Sequence, residues 1–166
     1  MPAPTVARIL TVEDDPIVRA DLRLVLENAG FELTPDARDG IEAVDLARTH
    51  RPDLILIDLG LPRLGGVEAT RRILDERDVP IVALTGHRDD GLVDEAVAAG
   101  VVGHVLKPFR EAHLIETLHD ALNQRAARDD AAEAEATRRK QLILIELLVR
   151  RGCSEREIVR ALGERS

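Results

Sequence analysis

The sequence predicts a doubly wound α/β domain followed by an all-α extension, and three observations carry that reading. Short β-branched or aliphatic runs recur at 8–12, 31–34, 53–57, 80–84 and 101–106. Between them lie longer segments whose apolar residues fall at three-to-four spacing, the mark of amphipathic helices. After Asn123 the strand-like runs stop. Five strands, each followed by a helix, imply a parallel sheet covered on both faces. The domain is expected over 1–123 and the helical extension over 124–166.

The elements follow in order. The first strand leads into Asp15-Pro16, an N-cap followed by proline at the first helical position. Ile17, Leu22, Leu24, Val25 and Leu26 give that helix its apolar stripe, and Gly30 marks its end. Asp39 is placed to cap a second helix carrying Ile41, Val44, Leu46 and Ala47. The third helix carries Val67, Ala69, Ile73 and Leu74. The fourth, capped by Asp89 or Asp90, carries Leu92, Val93, Ala96 and Val97 and stops at Gly100. The fifth carries Leu114, Ile115, Leu118 and Leu122.

Composition narrows the class. Phe31 and Phe109 are the only aromatic residues apart from histidine, so the core is built from Leu, Ile, Val and Ala. The net charge of −8 is unevenly spread. Residues 1–119 hold 22 acidic and 13 basic side chains, whereas 120–166 hold 9 and 10. Neither part has the strongly basic balance of a nucleic-acid surface. One cysteine, Cys153, excludes an intramolecular disulfide and reads as a half-buried small residue. No signal peptide is evident, and the apolar run from Leu142 to Val149 is far short of a membrane helix. A cytoplasmic location is the expectation.

In a parallel α/β sheet, ligands bind outside the carboxyl ends of the strands. There the first strand runs into Glu13, Asp14 and Asp15, the third ends at Asp58, the fourth ends at Thr85, and the fifth leads to Lys107-Pro108. Clustered carboxylates repel one another unless a cation neutralises them. Oxygen-only ligands select a hard ion such as Mg²⁺. A carboxylate beside the ion can act as a nucleophile toward a phosphoryl donor, with an ammonium to stabilise the transferred group. Asp15 itself reads as a helix cap.

Val12-Glu13-Asp14-Asp15, Asp58-Leu59-Gly60-Leu61-Pro62 with Gly65-Gly66, Thr85-Gly86 and Lys107-Pro108-Phe109 together resemble the response-regulator receiver family in order and spacing. The resemblance covers residues 5–123. It implies a flavodoxin-like (βα)5 sheet of order 2-1-3-4-5. It makes Asp58 the phosphoacceptor, with Mg²⁺ (or Mn²⁺) held by Glu13, Asp14, Asp58 and the Gly60 carbonyl. It makes Lys107 the phosphoryl-contacting cation, Thr85 the switch hydroxyl and the bond to Pro108 cis. His104 stands where the family usually has Tyr or Phe as the second switch residue; a packed histidine with no switching role is equally open. Gly60 and His87 occupy positions that tune dephosphorylation, though His87 can equally be a surface residue. The implied protein is a switch rather than a turnover enzyme, promoting only its own phosphorylation and dephosphorylation. The implied partner is a histidine kinase.

The tail sets the output. Residues 124–140 are rich in Ala, Arg and acids, and 141–151 are far more apolar. Gly152 reads as a C-cap, and Ser154 with Glu157 forms a capping-box pattern that starts a last helix. The tail is thus an extension of the fifth helix followed by a helical hairpin. Leu142, Ile145, Leu148, Val149, Ile158 and Leu162 are its candidate interface, for a homodimer or a downstream protein. The alternative is DNA or RNA binding. Residues 146–163 resemble the front half of a helix-turn-helix, but no recognition helix follows before Ser166.

Overall fold

The computed structural model describes residues 6–86 and 90–163. It divides into two compact units, 1–125 and 126–166. In chain order the elements are β1 (Arg8–Val12), α1 (Pro16–Asn28), β2 (Glu32–Leu33), α2 (Gly40–His50), β3 (Leu54–Asp58) and α3 (Gly66–Glu76). They continue with β4 (Ile81–Thr85), α4 (Asp90–Ala99), β5 (Gly103–Leu106), α5 (Glu111–Arg150) and α6 (Glu155–Gly163).

The strands form one parallel sheet of order β2-β1-β3-β4-β5. Side chains alternate across it, as the two-residue period of a strand requires. Ile9, Leu54, Leu56, Val82, Leu84 and Val105 point to one layer with α1 and α5, whose Leu22, Leu26, Leu114 and Leu118 are fully buried. Leu10, Val12, Ile55, Ile57 and Ala83 point to the other, against Ala43, Val67, Ile73 and Ala96 of α2, α3 and α4. Strands β3 and β4 are buried at every position, which explains their unbroken apolar runs.

The predicted strands shift slightly at their ends. β2 spans only two residues, Glu32–Leu33. Thr34 still donates to the Ile9 carbonyl, and Phe31 turns into the α1/α5 layer. β5 starts at Gly103 rather than Val101. The caps on α1 and α2 form as expected: one carboxylate oxygen of Asp15 accepts from Ile17 and Val18, and one of Asp39 from Ile41 and Glu42. Gly30 and Gly100 adopt positive φ where α1 and α4 stop. Asp89 lies outside the described residues, and Asp90 opens α4.

Two glycines bring the loops of the sheet's carboxyl end close together. A Cβ on Gly66 would sit 2.3 Å from the Asp58 carbonyl oxygen, and one on Gly40 would sit 2.1 Å from that of Leu64. Only glycine permits these approaches, which fold the β3–α3 loop back over Asp58 and against the start of α2.

In the second unit, every residue of α5 from Ala126 to Ile143 is exposed. Gly152 has φ +78 after the end of α5. The Ser154 N–H and hydroxyl both donate to one oxygen of Glu157, so Glu157 supplies its half of the capping box. Of the candidate interface residues, Ile145, Leu148, Ile158 and Leu162 are half-buried, whereas Leu142 and Val149 are exposed. Cys153 is half-buried. Among the described residues no helix is long and apolar enough to cross a membrane.

Candidate functional site

The parallel registers bring the strand ends to one edge. Val12 pairs with Ile57, so Glu13 follows β1 beside Asp58, the last residue of β3. Asp58 pairs with Leu84, one residue before Thr85. Thr85 pairs with Leu106, one residue before Lys107. The topology alone thus gathers residues from four separate stretches of chain.

Their side chains meet there. Lys107 Nζ lies 3.2 Å from Glu13 Oε2 and 3.2 Å from Asp58 Oδ2. Glu13 Oε1 accepts from the Asp15 N–H at 3.1 Å, and Asp58 Oδ1 from the Gly60 N–H at 3.1 Å. Glu13, Asp14 and Asp58 each offer a carboxylate oxygen, all within 4.8 Å of one another. Glu13 and Asp58 are buried, while Asp14 is exposed at the mouth.

Charge balance explains the ionisation of the set. Burial pushes the Glu13 carboxyl up to about 7; Asp58 adds to the rise, while the Asp15 N–H and Lys107 oppose it. Burial also works against the Lys107 ammonium, but Asp58 and Glu13 outweigh it and raise its pKa. One ammonium among three carboxylates leaves an excess of negative charge. A hard divalent cation with oxygen ligands is the complement of such a set. Glu13, Asp14 and Asp58 therefore fit Mg²⁺ or Mn²⁺ by donor type, by spacing and by the charge they lack.

The other sequence-derived residues are placed as follows. Thr85 is buried, and its hydroxyl donates to the Gly86 carbonyl at 3.2 Å. The Lys107–Pro108 peptide is cis. A Cβ added at Gly60 would meet only Asp58 Oδ1, at 3.8 Å, so the flank of the pocket is open there. His104 is exposed on β5 and lies outside the acidic cluster. It borders a cavity of about 440 Å³ with Thr85, Gly86, Val93, Asp94 and Leu106. His87 lies outside the described residues. Phe109 packs on the α1/α5 layer, and the exposed His119 tilts against Phe31 with ring centroids 5.3 Å apart.

Sequence reasoning passed over Arg19. Its Nη1 donates to the Glu13 carbonyl at 2.9 Å and to the Asp14 carbonyl at 3.4 Å, and its Nε lies 2.6 Å from Asp36 Oδ2. It belongs to no motif, and a lone arginine on a helix carries no signal of such a contact. Arg63, on the loop between β3 and α3, carries no such signal either. It has φ +61 and pairs with the buried Asp39.

Residues 9–119 match the family model described as response regulator receiver domain. Over 117 residues the chain is 38% identical to the transcriptional regulatory protein PdtaR of Mycobacterium tuberculosis, covering 70% of this chain and 57% of the relative. The polar-differentiation response regulator DivK of Brucella anthropi is 36% identical over 117 residues, covering 69% of this chain and 94% of DivK. Among solved structures, the receiver domain of the sensor histidine kinase PA1611 from Pseudomonas aeruginosa superposes with a TM-score of 0.66. It is 36% identical, with 72% of this chain and 99% of that one covered, and it holds a magnesium ion in its active-site cleft. The chain spans little more than half the length of PdtaR.

Proposed function

The chain belongs to the response regulator receiver family, and on that premise we propose that it is a phosphorylation-driven switch with Asp58 as acceptor. The observation that carries this reading is the position of Lys107 Nζ, 3.2 Å from carboxylate oxygens of both Asp58 and Glu13. A nucleophilic carboxylate, a fixed ammonium and two further acids thus share one pocket.

In this reading a sensor histidine kinase presents a phosphohistidine. The P–N bond breaks, an oxygen of Asp58 forms the new P–O bond, and the imidazole leaves. Glu13, Asp14, Asp58 and the backbone carbonyl of Gly60 would hold Mg²⁺, or Mn²⁺ in its place. When bound, the ion balances the charge of the carboxylates and of the phosphoryl oxygens. Lys107 keeps its proton and would contact the transferred group. The Thr85 hydroxyl exchanges its bond to Gly86 for one to a phosphoryl oxygen. His104 then moves into the adjoining cavity, and the α4–β5–α5 face repacks. The chain performs no turnover on a separate substrate; it catalyses only its own modification and release.

For the output we propose self-association or docking of a downstream protein through the second unit, with phosphorylation setting its strength. Leu142, Ile143, Leu147 and Val149 are exposed aliphatics on one helix, more apolar surface than a solvated helix carries.

The test is phosphoryl transfer to the full chain, read as an intact-mass increment of one phosphoryl group. Wild type gains the group in the presence of Mg²⁺, and Asp58→Asn does not. Retained labelling in that variant refutes the acceptor.

A further inference from the structure

We infer that the acidic pocket is aligned from outside by the β2–α2 loop, whose Asp36 and Asp39 act as positioning residues through Arg19 and Arg63. The inference rests on the reading of Glu13, Asp14 and Asp58 as a cation site.

Glu13 and Asp14 are adjacent in sequence. On an extended chain their side chains would point to opposite faces. Their carboxylates nevertheless fall within 4.8 Å of each other and of Asp58. The backbone at 13–14 must therefore be held out of strand geometry, and Arg19 grips it at that point. Its Nη1 bonds the carbonyls of both residues, while its Nε is anchored on Asp36. The planar guanidinium fixes the separation of its two partners. Arg23 adds a second bond to Asp36, at 3.2 Å. The Glu13 N–H in turn donates to the Ala37 carbonyl, and the Ala37 N–H donates to Thr11. Glu13 is thus held through both its amide and its carbonyl by residues 36 and 37 or by what they anchor.

The other wall of the pocket is tied to the same loop. Arg63 lies on the segment that leaves Asp58 through Gly60. It takes a left-handed backbone conformation and pairs with Asp39, which is 1% exposed and locked by the Ile41 and Glu42 amides. Gly40 lets the Leu64 carbonyl approach directly alongside. Two arginines reach from the two ligand-bearing segments to two acids three residues apart. Neither Asp36 nor Asp39 belongs to the acidic cluster, and Arg19 bonds two of its members at their backbone carbonyls. Their effect is on the backbone from which the ligands hang.

The test is calorimetric titration of MgCl₂ into the full chain near neutral pH, since the chain has no Trp or Tyr to report by fluorescence. Wild type is compared with Arg19→Gln, Arg19→Lys, Asp36→Asn, Arg63→Gln and Arg19→Gln/Asp36→Asn. The rise in melting temperature on adding Mg²⁺ over EDTA is recorded in parallel. Removing the groups that orient metal ligands weakens affinity about tenfold or more. That loss is expected for Arg19→Gln and Asp36→Asn, with a smaller loss for Arg63→Gln and a partial one for Arg19→Lys. The double variant is expected to lose no more than its weaker parent, because the two residues act as a unit. Arg63 is exposed, so Arg63→Gln keeps the test open if Arg19→Gln folds poorly. Folded variants that bind Mg²⁺ as wild type does overturn the inference. A wild type that binds no Mg²⁺ overturns the cation reading beneath it.

Discussion

Lys107 Nζ stands 3.2 Å from Asp58 Oδ2, across a gap of 49 residues in the chain, and a cis peptide to Pro108 follows it. The lysine side chain is 26% exposed and that of Asp58 only 6%. Removing one partner of such a pair strands the other charge. Lys107→Met is therefore expected to destabilise the cation-free protein by about 1–3 kcal/mol. Mg²⁺ should raise the stability of the variant more than that of wild type, since the ion replaces lost positive charge. Urea unfolding in EDTA and in Mg²⁺ measures both effects, and equal gains would contradict the charge-balance account.

Gly60 leaves the flank of Asp58 open. A Cβ there would meet only Asp58 Oδ1, at 3.8 Å, so Gly60→Asn is expected to fold normally. Its amide can orient a water against the phosphoryl group, and the half-life of phosphorylated Asp58 should shorten. Decay of the phosphorylated mass with time decides this, and an unchanged half-life counts against a role for this position.

Gly66→Ala should be costly far beyond a helix-propensity effect. The added Cβ would lie 2.3 Å from the Asp58 carbonyl oxygen and 2.8 Å from Leu59 Cα, both backbone atoms. A loss of about 3 kcal/mol or more is expected by thermal or denaturant unfolding. Alanine is otherwise the better helix former, so tolerance would show that the β3–α3 loop can move away from Asp58.

Asp39 links the loop to acid stability. The Glu42 N–H is the main cause holding its carboxyl below the usual 3.8, and Arg63 and the Ile41 N–H add to this against the effect of burial. Its folded-state pKa lies below its unfolded one, so its contribution is present above about pH 4 and is lost as the pH falls through the folded value. Asn still caps a helix, so Asp39→Asn removes mainly the charge. The stability gap between wild type and Asp39→Asn should be widest near neutral pH and close as the pH drops below 4. A gap that widens in acid would reverse the sign.

Leu142 and Val149 are seven residues apart and so share one helix face, and both are more than half exposed. Leu142→Glu/Val149→Glu in the full chain should lower the molar mass seen by light scattering if this face joins two copies. A wild type that is monomeric with and without a phosphoryl mimic removes self-association and leaves a heterologous partner. Salt-sensitive retention on duplex DNA would move the output to nucleic acid.

The fold and most of the acidic pocket were legible in the chain itself. Short aliphatic runs and helical stripes placed five strands and their helices, because burial on both faces leaves a strand as an unbroken apolar run and one-sided burial leaves a helix a period-3.6 stripe. The capping roles of Asp15 and Asp39 were legible because a short acid before a helix has a local reason to be there. Arg19, Asp36 and Arg63 were not. Each is a surface-type residue whose meaning lies in a contact with another loop, and no spacing encodes it. The tail was half legible: its two helices were expected, but its pattern is apolar nearly all round. Only the hairpin's own packing chose Ile145, Leu148, Ile158 and Leu162 as half-buried and left Leu142 and Val149 to solvent.

By itself, then, the sequence determined which residues could form an acidic pocket, since strand ends in a parallel sheet are decided by local pattern and order. Tertiary structure alone decided how that pocket is held. The pinning of Glu13 through Arg19 and Asp36 and the tie of Arg63 to Asp39 depend on how loops approach in space. Such approaches arise from the packed sheet and leave no periodic trace along the chain.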